Sequence, residues 1–309
     1  MISLFRAAWL GAGALAAAGC VPAAPSAALP APAPVAPAPV AAPRPTLPPP
    51  PELVAPARLG LPATIAQGGL ALGTAPAGTV RLTLDGAPVQ LAPDGRFLIA
   101  ADRDASAAMT LTAALPDSRT LTATLPVTPR AWRIERLDRV AKVPVPDADF
   151  ARRRPAELRQ IAAARATASV SDGWRQRFRW PVTGRISGLF GAQRIYRGEP
   201  GSYHGGVDVA RGVGTPVVAP ADGVVTLAAD PPFTLEGRLL ILDHGAGLTS
   251  AFLHLSRLDV RVGQRVRQGE PIGLVGRTGR ASGPHLHWAM TWHGARLDPQ
   301  PVAGPMPAG

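Results

Sequence analysis

From about residue 80 the chain is built of short runs in which apolar and polar residues alternate. Val80, Leu82 and Leu84 alternate with polar neighbours and lead into Asp85-Gly86, a pair suited to a two-residue hairpin turn. Pro93-Asp94-Gly95 supplies a second turn ahead of Arg96-Phe97-Leu98-Ile99. Met109 to Ala113 and Leu121 to Leu125 alternate again, on either side of a turn at Pro116-Asp117. Period-two runs separated by turn residues at roughly ten-residue spacing predict a small β-sandwich over 58–137. It holds no His, no Cys and no acidic cluster suited to chemistry, so it reads as a spacer or a binding module.

The pattern changes over 138–172. Pro144 and Pro146 interrupt it, and Pro155-Ala156-Glu157-Leu158-Arg159-Gln160-Ile161-Ala162-Ala163-Ala164-Arg165 reads as a helix with proline in its first turn, a connector between domains. Over 173–303 the short runs return. Strands are predicted at Thr215 to Ala219, Gly223 to Ala228, Arg238 to Leu242, Leu248 to His254 and Pro271 to Val275, with glycine at the junctions. No helical periodicity of useful length occurs there, so the fold class is all-β, followed by a short tail at 304–309.

The N-terminal part has a different character. Residues 1–20 read as an export signal. Arg6 gives a positive start, and the apolar run from Ala7 to Ala18 is too short to span a bilayer stably. Its end, Ala17-Ala18-Gly19-Cys20, resembles a bacterial lipobox, with Ala17 where leucine is usual. Cys20 is the single cysteine, so no internal disulfide can form, and its expected role is a lipid anchor. Val21 after it points to the outer membrane and the periplasm, by analogy. Residues 21–57 are nearly all Ala and Pro and favour extended polyproline II. About 35 such residues at about 3 Å each reach roughly 100 Å, enough to tether a domain into a cell wall.

The formal net charge is +11, carried almost wholly by arginine. Such a balance admits an anionic polymer as partner. The charges are scattered, without a helix-turn-helix pattern or an aromatic RNA-binding signature, which argues against nucleic acid.

Chemistry concentrates in two short stretches. In Gly283-Pro284-His285-Leu286-His287-Trp288 the two histidines lie on one face of a strand. In His204-Gly205-Gly206-Val207-Asp208 a loop runs into a strand with His and Asp four apart. Ala251-Phe252-Leu253-His254-Leu255 presents a further histidine. Imidazole and carboxylate donors suit zinc, and a catalytic zinc keeps one position for water. His244 and His293 read as structural. Tyr203, beside His204, could donate to a substrate or simply pack; Arg257, Arg277 and Arg280 could meet carboxylates or simply be solvated.

The two stretches resemble the H-x-G-x-D and G-P-H-L-H-W signatures of the lysostaphin/LytM-type zinc metallopeptidases, which cut peptide bonds in bacterial peptidoglycan. Pro181 to Gly191, Asp243 to Leu248, Phe252 to Ser256 and Gly263 to Gly269 follow the family pattern in order, so the resemblance covers about 180–300. It implies an antiparallel sheet flooring a groove walled by loops, with the family's duplicated hybrid motif. It further implies one zinc held by His204, Asp208 and His287, with His254 and His285 as unligated catalytic residues. Stem peptides of peptidoglycan would be the substrate of a monomeric enzyme. The alternative is a catalytically silent LytM-type regulator that activates an amidase; such proteins lose metal ligands, and all three are present here. A lipoyl or biotinyl carrier would need a modifiable lysine, and this domain has none. A purely structural lipoprotein gives no reason for the histidines.

Overall fold

The computed structural model describes residues 58–139 and 148–307. The expected export signal, Cys20 and the Ala/Pro-rich spacer lie outside the described residues, as do 140–147 of the expected connector and the last two residues of the tail. No helix among the described residues is long and apolar enough to cross a membrane.

The chain is predominantly β. The first strands are β1 (Ile65–Ala66), β2 (Leu70–Thr74), β3 (Arg81–Leu84), β4 (Ala87–Val89), β5 (Arg96–Ala100), β6 (Ala108–Ala114), β7 (Thr120–Thr128) and β8 (Ile134–Leu137). Helix α1 (Ala148–Ala166) follows. Then come β9 (Arg185–Gly188), β10 (Gln193–Tyr196), β11 (Glu199–Pro200), β12 (Val207–Ala210), β13 (Pro216–Val218), β14 (Gly223–Ala228), β15 (Arg238–Asp243) and β16 (Leu248–Leu255). The last elements are β17 (Arg257–Leu258), β18 (Arg265–Val266), β19 (Pro271–Leu274), β20 (His285–Trp292), β21 (Ala295–Leu297) and helix α2 (Pro299–Ala303).

The N-terminal strands form two sheets, β1-β7-β6-β3-β4 and β2-β5, with Phe97, Ile99, Leu111 and Leu125 buried among them. The turn between β3 and β4 is Asp85-Gly86, both residues at positive φ, as the sequence predicts. Val80, expected to alternate inward, precedes β3 and is exposed.

The large sheet runs β18-β14-β15-β16-β20-β12-β9, with β21 beside β20. All its pairings are antiparallel. Period-two alternation gives it two distinct faces. Leu240, Leu242, Phe252, Leu286, Trp288 and Met290 point into one buried cluster that continues through the N-terminal strands as far as Ile65. The residues between them, Leu239, Ile241, Ala251 and Ala289, join a second cluster with Ile161 and Ala164 of α1. Because 285, 287 and 289 share a face, His285 and His287 lie on the side that α1 covers.

Two elements differ from the sequence reading. Helix α1 begins at Ala148, so Pro155 sits inside it rather than in its first turn. An interior proline removes a backbone hydrogen bond and costs about 3 kcal/mol. Arg153 and Arg154, just ahead of it, anchor that part of the helix to Pro232 O at 2.7 Å and to both oxygens of Glu236 at 2.6 and 2.7 Å. These tertiary bonds override the local signal. The second difference is β8, which pairs in parallel with β10 rather than with the N-terminal sheets.

Candidate metal centre

Asp208 and His287 are direct partners in the antiparallel pairing of β12 with β20, so register alone sets their side chains together. His204 reaches them from the loop before β12. Its Nε2 lies 3.1 Å from Asp208 Oδ1 and 3.0 Å from His287 Nδ1, and His287 Nδ1 lies 2.8 Å from Asp208 Oδ1. Three donor atoms therefore converge on one point, all within 4.8 Å of one another. A tetrahedral zinc with bonds of about 2.0–2.1 Å sets its ligands roughly 3.3 Å apart, so the spacing fits. The chemistry fits as well: two imidazole nitrogens and a carboxylate oxygen are donor types that zinc takes.

Close backbone approach makes room for this arrangement. A Cβ on Gly206 would lie 2.7 Å from His287 Nε2 and would collide with Trp288 O. The glycine of the H-x-G-x-D stretch is thus required by the packing of loop against strand.

Outer hydrogen bonds fix the rings. His204 Nδ1–H donates to Leu189 O at 3.0 Å, which directs Nε2 to the centre. His285 Nδ1–H donates to Gly283 O at 2.8 Å, and its Nε2 lies 3.7 Å from Asp208 Oδ1. His254 Nδ1–H donates to Thr278 O at 2.9 Å, leaving Nε2 free. The His254 ring sits 4.8 Å from that of His285 and 6.3 Å from that of His287.

The electrostatics follow from burial and pairing. Burial disfavours a charged Asp208, but the bonds from His204 and His287 outweigh it and hold the carboxyl far below the usual range. Burial also disfavours a charged His204, and there the bond and charge of Asp208 prevail and raise its pKa. His287 is lowered by burial, with the neighbouring histidines adding to that against Asp208. Burial, with the charges of His285 and His287, pushes His254 down to about 4.

The five residues singled out from sequence are thus brought together. A cavity of about 1040 Å³ opens beside them, and His204 and Asp208 form part of its lining. Arg280, one of the three arginines singled out from the sequence, lines it. Arg133 and Glu135 line it too, from in and beside β8, and these the sequence reading missed. Arg257 does not line it; its side chain pairs with Asp259. Tyr203 packs between Arg103 at 4.5 Å and Arg296 at 5.1 Å. His244 is fully buried, bonded to Asp222 O and Ser250 Oγ, and His293 stands apart against Trp292. Both fit the structural role expected of them.

Residues 202–299 match the model of peptidase family M23. The peptidoglycan DD-endopeptidase ShyA of Vibrio cholerae is 37% identical over 134 residues, which are 41% of this chain and 30% of that protein. The DD-carboxypeptidase/endopeptidase Mpg of Neisseria meningitidis is 40% identical over 127 residues, 40% of this chain and 28% of that one. The chain therefore spans less than a third of the length of these two curated relatives. A crystal structure described as a candidate M23 peptidase from Pseudomonas aeruginosa covers 77% of this chain and 95% of its own, at 27% identity and a TM-score of 0.59.

Proposed function

We propose, from the premise that residues 202–299 of this chain are a peptidase family M23 domain, that the protein is a zinc-dependent endopeptidase acting on the peptide cross-links of bacterial peptidoglycan. The observation that carries this reading is the convergence of His204, Asp208 and His287, with two further histidines, at the edge of a groove of about 1040 Å³. That volume is at the upper end for a small-molecule pocket and suits a peptide. The names of the Vibrio and Neisseria relatives support a peptidoglycan substrate.

In this reading His204 Nε2, His287 Nδ1 and one oxygen of Asp208 hold the ion. When bound, zinc supplies Lewis acidity, activating water and polarising a carbonyl oxygen. The chain's own residues do the rest. Leu189 O keeps the His204 lone pair aimed inward. His254, neutral at physiological pH with Nδ1 committed to Thr278 O, offers Nε2 as a proton acceptor. His285 Nε2, held by the bond to Gly283 O, is placed to deliver a proton to the leaving nitrogen or to steady charge on the carbonyl oxygen. Peptidoglycan lies outside the cytoplasm. The export signal and the Cys20 anchor read from residues 1–20 would carry the enzyme to the periplasm and tether it to the outer membrane.

The test is to incubate purified, zinc-loaded protein with cross-linked sacculi and to resolve the muropeptides. Loss of cross-linked species, blocked by a chelator and by His285→Ala, is the expected result and identifies the bond cut. Intact cross-links with zinc-loaded protein would overturn the reading and favour the regulator.

A further inference from the structure

We propose that Arg103, outside the family-matched segment, is a positioning residue for His204. On this view residues 58–137 support the metal site rather than serve as a spacer. The inference rests on the metal site proposed above.

Arg103 follows β5 in the turn Asp102-Arg103-Asp104 and is only 6% exposed. Every nitrogen of its guanidinium has a partner. Nε and Nη2 both donate to Gly191 O, at 3.2 and 3.0 Å. Nη2 also donates to Gln193 Oε1 at 3.2 Å, and Nη1 to Asp104 Oδ1 at 2.6 Å. The planar cation stacks near Tyr203 at 4.5 Å and Trp132 at 5.4 Å. A buried guanidinium forked onto one carbonyl is a strong and directional restraint.

The segment it grips is the one that orients His204. Gly191 N–H donates to His204 O at 2.9 Å, and His204 N–H donates to Ala192 O at 2.8 Å. His204 Nδ1–H donates to Leu189 O at 3.0 Å. Residues 189–193 therefore hold both the backbone of His204 and the tautomer of its ring. Arg103 fixes that segment from behind, through Gly191 and Gln193, while Tyr203, the neighbour of His204, lies against the same guanidinium. A partner of this kind tunes ligand affinity without touching the ion.

Other contacts from residues 58–137 reach the same segment, with Gln193 N–H donating to Arg133 O at 2.9 Å and Trp132 packing on Phe190 at 5.6 Å, but some contacts lie well away from it. Asp94 pairs with Arg175, a contact that provides a control. In full-length protein, zinc affinity would be measured by competition with a chromophoric chelator, with the melting temperature alongside. Arg103→Gln is expected to weaken zinc binding about 10–100-fold. Arg103→Lys keeps a cation but loses the fork and should fall between Arg103→Gln and wild type, while Arg175→Gln should match wild type. Wild-type protein that takes up no zinc overturns the metal site itself. Wild type that binds zinc while Arg103→Gln binds it equally well overturns only the role of Arg103. The same holds if Arg175→Gln loses as much affinity as Arg103→Gln. Should Arg103→Gln fail to fold, Arg103→Lys decides, and unchanged affinity there overturns the proposal.

Discussion

Glu236 joins Arg154 to His254: its carboxylate takes both terminal nitrogens of Arg154 at 2.6 and 2.7 Å, and its backbone carbonyl accepts the N–H of His254 at 2.9 Å. His254 sits at φ +64°, a left-handed conformation that a histidine adopts only when its surroundings impose it, at a cost of order 1–3 kcal/mol. The helix α1 thus braces one of the histidines beside the candidate metal centre.

Arg154→Ala should loosen that brace. The Arg154 side chain is 16% exposed and that of Glu236 is 11% exposed. Removing one partner should cost about 2–3 kcal/mol, below the 3–5 kcal/mol typical of fully buried pairs. Denaturant unfolding would give the stability loss, and turnover with bound zinc unchanged should fall. A variant as stable and as fast as wild type would show that α1 merely covers the sheet.

The same helix gives a pH dependence. Burial works against an ionised Glu157, but the N–H and hydroxyl of Thr234, at 2.8 and 2.6 Å, and the Arg154 guanidinium outweigh it, so its pKa is lowered from 4.5. A carboxyl with a folded pKa below its unfolded value adds stability that is fully present above the unfolded value. That stability is lost as pH falls through the folded one. Wild type and Glu157→Gln should therefore differ most in melting temperature at neutral pH and converge as pH drops below about 4.5. A gap that widens in acid would reverse the assignment.

Much of this was legible in the sequence because its signals are local. The turn at Asp85-Gly86, the strand from Gly223 to Ala228 and the shared face of His285 and His287 follow from turn chemistry and period two. The meeting of Asp208 with His287 depends on strand register across 79 residues, which no local pattern encodes; only the family resemblance anticipated it. Tertiary bonds from Arg153 and Arg154 decide where α1 starts, against the propensity of Pro155. The pairing of β8 with β10 was invisible because Ile134-Glu135-Arg136-Leu137 has no alternation to mark it.

Holding the metal and moving protons should separate by mutation. Asp208→Asn keeps the side chain's shape but removes the charge that His204 and His287 face, so bound zinc should fall to background by elemental analysis. His254→Ala leaves all three convergent donors in place. It should retain one zinc and lose about 10²–10⁴-fold in turnover, the usual scale for a lost proton-transfer group. If His254→Ala also loses its zinc, that histidine belongs to the ligand set.

Gly188 tests how tightly the centre is packed. It pairs with Asp208 across β9 and β12. A Cβ there would collide with Asp208 Oδ2, lie 2.8 Å from its Cγ and approach His204 Cε1 to 3.0 Å. Asp208 has little room to yield, because its other oxygen is placed by His204 and His287. Gly212 is the comparison: a Cβ there meets nothing within 4 Å. Gly212→Ala should be neutral or stabilise by about 0.4–1 kcal/mol through the unfolded chain. Gly188→Ala should lose zinc affinity and turnover together while the far-ultraviolet circular dichroism stays native, because the clash is confined to two of the proposed ligands, Asp208 and His204. Full zinc binding in Gly188→Ala would mean that the carboxylate can be displaced without releasing the ion, and that the spacing of the three donors is looser than 2.8–3.1 Å implies.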